Sequence, residues 1–179
     1  NGTRLKPQHL GLLAALEKIT IKVVDKPRIA ILSTGNELVE LGTSPKTNQI
    51  TNSNRFVIEG LCKELGAEPW YLGITKDDEE EIGKKILKGT SNSDLVITTG
   101  GTSVGVADLV PLVVNKLGKP GIVVHGLAMR PGMPTAAGIL KGKPVFVLSG
   151  NPVAAFFGFE TLVRPTILKF LGIESEPRV

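Results

Sequence analysis

The sequence predicts an α/β fold of three layers, α/β/α, built around a mainly parallel sheet. Short apolar runs rich in β-branched residues recur along the chain from Arg28, and segments with helical periodicity lie between several of them. Such alternation with short loops requires crossover connections, which favour parallel strands covered by helices on both faces. Glycine makes up 21 of the 179 residues and falls at element boundaries rather than in a low-complexity tract.

The N-terminal segment does not fit this alternation. Residues 10–16 predict a short amphipathic helix, and the alternating pattern of residues 19–24 predicts an edge strand, before Lys26-Pro27 breaks the pattern. We expect residues 1–26 to be the tail of a preceding domain or a linker, and residues 27–179 to form the α/β domain. The chain begins with Asn1 rather than Met, which favours a fragment of a longer protein.

Apolar runs in the remainder predict five buried strands, at residues 29–32, 70–74, 95–97, 122–124 and 145–148. Four helices are predicted between or after them. The first carries a stripe that ends before Gly66, the second ends at Gly89, and the third ends at Gly118. Their apolar stripes are Ile58, Leu61, Cys62 and Leu65; then Ile82 and Ile86; then Val110, Val113, Val114 and Leu117.

Two helix starts have recognisable signals. Asp78 and Glu81 have the spacing of a capping box at the start of the second helix. The fourth helix begins with Asn151 as N-cap and Pro152 in the first turn, and Pro165 is expected to interrupt it.

Composition narrows the function classes. The net charge is +4, with Lys and Arg scattered, so the pattern favours small anionic ligands over nucleic acid. The single cysteine, Cys62, excludes an intramolecular disulfide and favours a reducing, cytoplasmic setting. No apolar run approaches the 18–20 residues, roughly, of a membrane span, so we expect no membrane partner.

Three predicted strands end in loops rich in glycine and hydroxyl side chains, at residues 33–37, 98–103 and 149–152. If these strands are parallel, the loops lie at one edge of the sheet, where ligands of open α/β sheets bind. One such loop alone is more often a tight turn, but three together favour a site for phosphate or another oxyanion. The sequence lacks a P-loop, a Gly-x-Gly-x-x-Gly run and a His/Cys spacing typical of metal sites.

Five motifs in a fixed order carry a family resemblance. They are Ser33-Thr34-Gly35-Asn36-Glu37-Leu38, Asn52-Ser53-Asn54-Arg55, Thr99-Gly100-Gly101-Thr102-Ser103-Val104-Gly105 with Asp108, Arg130-Pro131-Gly132-Met133-Pro134, and Ser149-Gly150-Asn151-Pro152-Val153. Residues 28–171 thereby resemble the central, MogA-like domain of molybdopterin molybdenumtransferases of the MoeA type, whose relatives include the E domain of gephyrin. Segment 1–26 resembles the end of that family's first domain.

The resemblance implies a reaction and its ligands. Molybdate, or tungstate, is inserted into the dithiolene of adenylylated molybdopterin, and AMP is released. The implied cofactor is Mg²⁺, and the full-length protein is expected to be a homodimer. Two alternatives stay open: a molybdopterin adenylyltransferase of the MogA type, and a molybdopterin-binding or scaffold module without catalysis. The acids of the loops favour the enzyme, and the resemblance implies activity for the full-length protein rather than for this fragment alone.

The resemblance also assigns site residues. The implied catalytic residues are Glu37, Asp77, Asp108 and Arg130, and Glu37 and Asp108 are the implied Mg²⁺ ligands. Substrate-binding positions are Thr34, Gly35, Asn52, Asn54, Thr99, Gly100, Gly101, Thr102, Ser103, Gly105, Pro131, Gly132, Ser149, Gly150 and Asn151.

Plainer roles compete at several of these positions. Asp77, Asp78 and Asp108 each stand near a helix start, where a carboxylate can serve as an N-cap. One of Asn52 and Asn54 is also expected to cap the helix that follows. The sequence departs from the bacterial pattern at Gly126 and Met133, where lysines are common, so we expect a less basic anion site, with His125 as an open question.

Overall fold

A computed structural model describes residues 2–101 and 108–173 of the chain. Its strands are β1 (Arg28–Thr34), β2 (Leu38–Val39), β3 (Ile50–Thr51), β4 (Glu68–Thr75), β5 (Leu95–Thr99), β6 (Gly121–His125), β7 (Ala136–Leu140) and β8 (Lys143–Leu148). Its helices are α1 (Pro7–Ala15), α2 (Asn54–Leu65), α3 (Glu79–Asn92), α4 (Leu109–Leu117), α5 (Pro152–Gly158) and α6 (Arg164–Phe170), with a π-helical segment, Phe159–Val163, between the last two.

The central sheet has six strands in the order β4-β1-β5-β8-β7-β6. The first four are parallel to one another, and β7 runs antiparallel to both β8 and β6. Since β6 and β8 are each antiparallel to β7, they run in the same direction. The prediction of a mainly parallel sheet is confirmed, and the carboxyl ends of β4, β1, β5, β8 and β6 lie at one edge.

Two apolar clusters cover the two faces of this sheet, as the three-layer prediction requires. One joins alternate residues of β1, β5 and β8 to α2, the π-helical segment and α6, with Phe159 fully buried at its centre. The other joins the intervening strand residues to α3 and α4, through side chains such as Ile86 and Val114. Alternation along β1 shows the division, because Ile31 belongs to the first cluster and Leu32 to the second.

The helix signals in the sequence are confirmed at four places. Gly66 ends α2 in the left-handed conformation at φ 90°, Asp78 caps α3 by accepting from the backbone N–H of Glu81 at 2.8 Å, and Gly118 follows α4. The side chain of Asn151 caps α5 by accepting from the N–H groups of Val153 and Ala154.

The structure corrects two predictions about element boundaries and refines a third. Residues 19–24 form no strand, and Ile19 is 96% exposed, because no neighbouring strand in the described chain pairs with them. Helix α3 continues past Gly89 to Asn92. The interruption expected at Pro165 takes the form of the π-helical segment, which joins α5 to α6 without a break and ends two residues before this proline.

Other differences concern strands. The predicted strand at residues 122–124 exists as part of β6, but it is an edge strand whose later residues are exposed. Strand β7 and the short parallel pair β2–β3 were not predicted, since β7 reads Ala-Ala-Gly-Ile-Leu and lacks a β-branched run. The predicted helix near the N-terminus is present as α1, and it buries no residue. Within residues 2–101 and 108–173, no helix is both long and apolar enough to cross a membrane.

Candidate functional site

The loops that follow β1, β5 and β8 meet at the centre of the carboxyl edge. The N–H of Gly100 donates to the carbonyl of Leu148 at 3.1 Å, and the Thr34 hydroxyl donates to the carbonyl of Thr99 at 3.5 Å. Thr99 in turn donates to the hydroxyl of Ser33 at 3.3 Å. The predicted convergence of the three loops is therefore confirmed.

Glycine is required at this junction by close approach of the chain to itself. Gly100 and Gly101 have φ values of 90° and 68°. These values lie in the left-handed region, which residues other than glycine rarely adopt. A Cβ at Gly100 would collide with the backbone carbonyl of Thr34, and one at Gly101 would lie 2.7 Å from Val110 Cγ2. Both glycines thus allow the loop after β5 to pack flat against β1 and α4. Three predicted binding residues of the same loop, Thr102, Ser103 and Gly105, lie outside the described residues.

The loop after β8 is held in place by two asparagines. Asn54 donates from Nδ2 to the carbonyl of Gly150 at 2.8 Å, and the N–H of Asn151 donates to the Ser149 hydroxyl at 3.2 Å. Asn54 is 8% exposed, and its Oδ1 has no hydrogen-bond partner. Gly150, which directly precedes the helix start at Asn151, lies beside Gly100, since a Cβ on Gly150 would be 3.6 Å from the Gly100 Cα.

Asn52 has a different environment from Asn54. Its Nδ2 donates to the Ser33 hydroxyl at 2.8 Å and to the Tyr71 hydroxyl at 2.9 Å, while its Oδ1 accepts from the N–H of Arg55 at 3.5 Å. This long contact reaches an N–H in the first turn of α2, but the N-cap position is Ser53 and makes no side-chain capping hydrogen bond, so neither asparagine occupies the predicted N-cap. Asn52 is 2% exposed, and both polar atoms of its amide are hydrogen-bonded. Its side chain therefore has a structural role, which is to hold the end of β1 against the start of α2.

A polar network missed by the sequence analysis extends from Asn52. The Tyr71 hydroxyl donates to Glu40 Oε1 at 2.8 Å, and the guanidinium of Arg55 lies 3.9 Å from the Tyr71 ring centroid. Arg55 also forms ion pairs with Glu40 at 3.2 Å and Glu59 at 2.9 Å. Burial, followed by the hydrogen bond to Glu40, raises the pKa of Tyr71 to about 12. No local pattern in the sequence indicates this network, because its members come from separate elements.

Two of the predicted acids lie on the β4 side of the junction. Glu37 is exposed, and its carboxylate folds over Gly35, where a Cβ would lie 2.6 Å from Oε1. Asp77 is also exposed and accepts from the N–H of Asn36 at 3.4 Å. Asp78, not Asp77, caps α3, so the carboxylate of Asp77 is not used to start that helix.

Asp108 lies on the β6 side. It stands at the N-cap of α4, yet its side chain makes no capping hydrogen bond. Its Oδ2 lies 2.6 Å from Nε2 of His125, the last residue of β6. The capping role that competed for Asp108 is therefore not the one its side chain adopts, and His125 has a definite partner.

The loop between β6 and β7 brings Arg130 to the same edge. Within it, the N–H of Leu127 donates to Met133 at 2.8 Å, and the Thr135 hydroxyl donates to Gly132 at 2.7 Å. Gly132 is buried at φ 111°, close to the start of α5, whereas Arg130 and Pro131 are exposed. The guanidinium is thus displayed on a loop that is fixed by its own backbone.

The predicted residues form two groups with the glycine junction between them. Glu37 and Asp77 lie on one side, and Asp108, His125 and the Arg130 loop on the other, as the strand order requires. No hydrogen bond or ion pair joins the two groups in the described part of the chain. Residues 2–101 and 108–173 also contain no group of three or more His, Cys, Asp or Glu residues that could hold a metal ion.

Comparison with known proteins shows the family to which this chain belongs. Residues 30–169 match a family described as a probable molybdopterin binding domain. The molybdopterin molybdenumtransferase of Haemophilus influenzae is 40% identical over 171 residues, covering 96% of this chain and 42% of that protein. The protein of the same name from Nostoc is 38% identical over 174 residues, covering 96% of this chain and 40% of its own length.

Solved structures agree. The crystal structure of a molybdopterin biosynthesis MoeA protein from Pyrococcus horikosii superposes with a TM-score of 0.88 at 39% identity, covering 97% of this chain and 43% of that one. A MoaB enzyme from Thermus, 17% identical with a TM-score of 0.64, shares the fold. The chain spans less than half the length of the curated relatives it matches. The chain belongs to the molybdopterin-binding domain family, and within it resembles domains of the MoeA type.

Proposed function

We propose that the chain binds molybdopterin at the carboxyl edge of its sheet and acts in molybdenum cofactor biosynthesis as part of a molybdenumtransferase. In the proposed reaction, molybdate is inserted into adenylylated molybdopterin and AMP is released. The observation that carries the proposal is the junction of Thr34, Gly100 and Leu148, which packs three strand ends together. Relatives named molybdenumtransferase support it over almost the whole of this chain.

The geometry suits a ligand with several anionic groups. Gly100 and Gly101 bring the ends of β1 and β5 close together at this junction, because a Cβ at either position would collide with Thr34 or Val110. The α5 start at Asn151 lies beside this junction, and partial positive charge at a helix start favours anions. Arg130, exposed on its loop, supplies a guanidinium suited to a phosphate or molybdate oxygen pair. These groups would bind and orient the ligand.

The two carboxylate groups have a separate role in the proposal. Glu37 and Asp108 approach the junction from opposite sides, and they would hold Mg²⁺ together with oxygens of an anion bound between them, since this ion prefers oxygen donors. Since the described residues offer no complete ligand cluster, oxygens of the bound anions would complete the set, as is usual for this ion. The ion would offset negative charge where phosphate and molybdate meet. Asp77 would orient the ligand from the β4 side.

The assembly and location are proposed on the same basis. We expect the full-length protein to be a cytoplasmic homodimer, and the remaining parts of such a protein to complete the site. The preference between molybdate and tungstate would be measured as the ratio of the rates of AMP release with each anion.

The test combines calorimetry with product analysis. We expect the protein to bind molybdopterin and adenylylated molybdopterin, and to release AMP from the latter only when molybdate is present. Asp108→Asn should abolish AMP release while molybdopterin binding and the unfolding midpoint stay close to wild type. Full activity in this variant would overturn the assignment. Formation of adenylylated molybdopterin from ATP would favour the adenylyltransferase, and binding without either reaction would favour the scaffold module.

A further inference from the structure

We propose that His125 is a positioning residue for Asp108, and that a bulge in β6 exists to aim it there. The pairing itself is independent of the proposed function, whereas its effect on turnover rests on that function. Neither the sequence motifs nor the family match assigns a role to His125.

The strand register shows how the bulge works. Ile122 lies opposite Gly138 and His125 lies opposite Ala136, with a register shift between Ile122 and Val124. Opposite residues of an antiparallel pair project from the same face, and residues two apart on β7 share a face. Ile122 and His125 therefore project from one face, although they are three residues apart and a regular strand would place them on opposite faces.

That face is the one covered by α4. Ala136 belongs to the apolar cluster that contains Val110 and Val114 of α4, and Ile122 packs against the same cluster. If the same residues continued in regular register from Ile122, His125 would be shifted by one position on β7 and would project from the opposite face, away from Asp108. Bulges that redirect a side chain are common beside active sites, and this one accounts for a contact between an edge strand and a helix start.

The contact with His125 uses one carboxylate oxygen of Asp108, and the other oxygen has no partner among the described residues. An ionised carboxylate only accepts hydrogen bonds, so the Nε2–H of His125 donates to Oδ2 across 2.6 Å. Oδ1 of Asp108 makes no hydrogen bond or ion pair with the described residues. The side chains of His125 and Asp108 are 46% and 24% exposed. The imidazole thus fixes the rotamer of the carboxylate while Oδ1 stays available to a ligand.

The pairing can be tested in the ligand-free protein. Long-range proton–nitrogen NMR spectra of the imidazoles should show the His125 proton on Nε2, with a resonance shifted by the hydrogen bond. Asp108→Ala should remove that shift. A wild-type spectrum with the proton on Nδ1, or one unchanged in Asp108→Ala, would overturn the proposal.

Kinetics test the consequence. We expect His125→Ala to lower kcat for AMP release by about 10–100-fold, with KM little changed. Losses of about this size are typical when a residue that orients a ligand-binding side chain is removed. His125→Gln, which keeps an N–H donor, should recover part of the loss.

Val124→Ala is the matched control, since this neighbouring side chain is 42% exposed and lies opposite Ala137 on the other face. Its turnover should equal that of wild type. If wild-type protein turns over and His125→Ala does so equally well, the inference fails and the proposed function stands. If wild-type protein shows no turnover, the proposed function fails, and the NMR result still decides the pairing.

Discussion

Asn36 and Asp77 exchange two hydrogen bonds between the loops that follow β1 and β4. The N–H of Asn36 donates to Asp77 Oδ2 at 3.4 Å, and the N–H of Asp77 donates to Asn36 Oδ1 at 3.3 Å. A further bond, from the N–H of Gly35 to the carbonyl of Thr75 at 3.1 Å, continues the same seam. The carboxylate of Asp77 is therefore oriented by the backbone of the loop that carries Glu37.

This exchange separates a structural role of Asp77 from a chemical one. Asp77→Asn keeps an oxygen acceptor for Asn36, so we expect its stability to match wild type within a few tenths of a kcal/mol, roughly. If the charge orients the ligand as proposed, AMP release should still fall by at least about tenfold, or about 1.4 kcal/mol. Thermal unfolding and AMP release should be measured on the same preparation.

Asp77→Ala provides the comparison, because it removes both the charge and the acceptor. It should lose activity and also up to about 1 kcal/mol of stability, a modest cost since the contact is exposed. Normal turnover by Asp77→Asn would show that Asp77 only joins the two loops, and would remove it from the proposed site.

The glycine junction predicts a large effect from one methyl group. Gly100→Ala places a Cβ against the carbonyl of Thr34 in a residue with φ 90°. Left-handed backbone alone costs a non-glycine residue about 1–2 kcal/mol, and the collision adds to it. We expect a loss of more than about 2 kcal/mol, measured by urea unfolding, together with loss of molybdopterin binding.

Gly42→Ala controls for the backbone term. Gly42 has a similar φ of 94°, but nothing lies within 4 Å of a Cβ there. It should lose only the left-handed cost of about 1–2 kcal/mol, and molybdopterin binding should persist. Equal stability losses in the two variants would show that the approach of Gly100 to Thr34 is not what requires glycine.

The sequence predicted this fold well where local chemistry and burial agree. The apolar run at Ile29–Leu32 is buried on both faces, and Asp78 caps its helix as its spacing to Glu81 indicates. These signals lie within a few residues of one another, so they are readable without the tertiary structure.

The features that the sequence did not predict depend on residues far apart in the chain. Gly89 was predicted to end α3, but it is a packing glycine, since a Cβ there would lie 3.1 Å from Val96 and 3.2 Å from Ala30. The contact of His125 with Asp108 depends on a bulge and on a strand, β7, that has no strong pattern. Such features are set by distant segments of the chain, which periodicity does not record.

Gly60 in α2 and Gly89 in α3 are both helical glycines, and we expect substitution by alanine to have opposite effects on stability at the two positions. Gly60→Ala, on an open surface of α2 with nothing within 4 Å, should stabilise the protein by about 0.5–1 kcal/mol. Gly89→Ala gains the same helix propensity, but it must displace three neighbours that lie 3.1–3.3 Å away, one each on β1, β4 and β5. We expect a net loss of about 1–3 kcal/mol, and urea unfolding of both variants would measure the contrast. Stabilisation by Gly89→Ala would show that Gly89 only interrupts α3.

Buried acidic protons predict a loss of stability at alkaline pH. Cys62 is fully buried, and burial, followed by the charge of Glu59, raises the pKa of its thiol from 9.0 to about 12. Above pH 9 the unfolded chain releases this proton while the folded chain retains it, so the folded state binds more protons and stability falls as pH rises. Tyr71 acts in the same direction from pH 10.

Urea unfolding between pH 8 and 11 should show this decline, with Cys62 contributing up to about 1.4 kcal/mol per pH unit above pH 9. Cys62→Ala lacks the thiol, so the stability difference between wild type and variant should narrow steadily over that range. Tyr71 keeps some slope in the variant above pH 10, because burial, followed by its hydrogen bond to Glu40, still raises the pKa of its hydroxyl. Parallel curves for the two proteins would mean that the thiol ionises equally well in the folded chain, contrary to its burial beside Glu59.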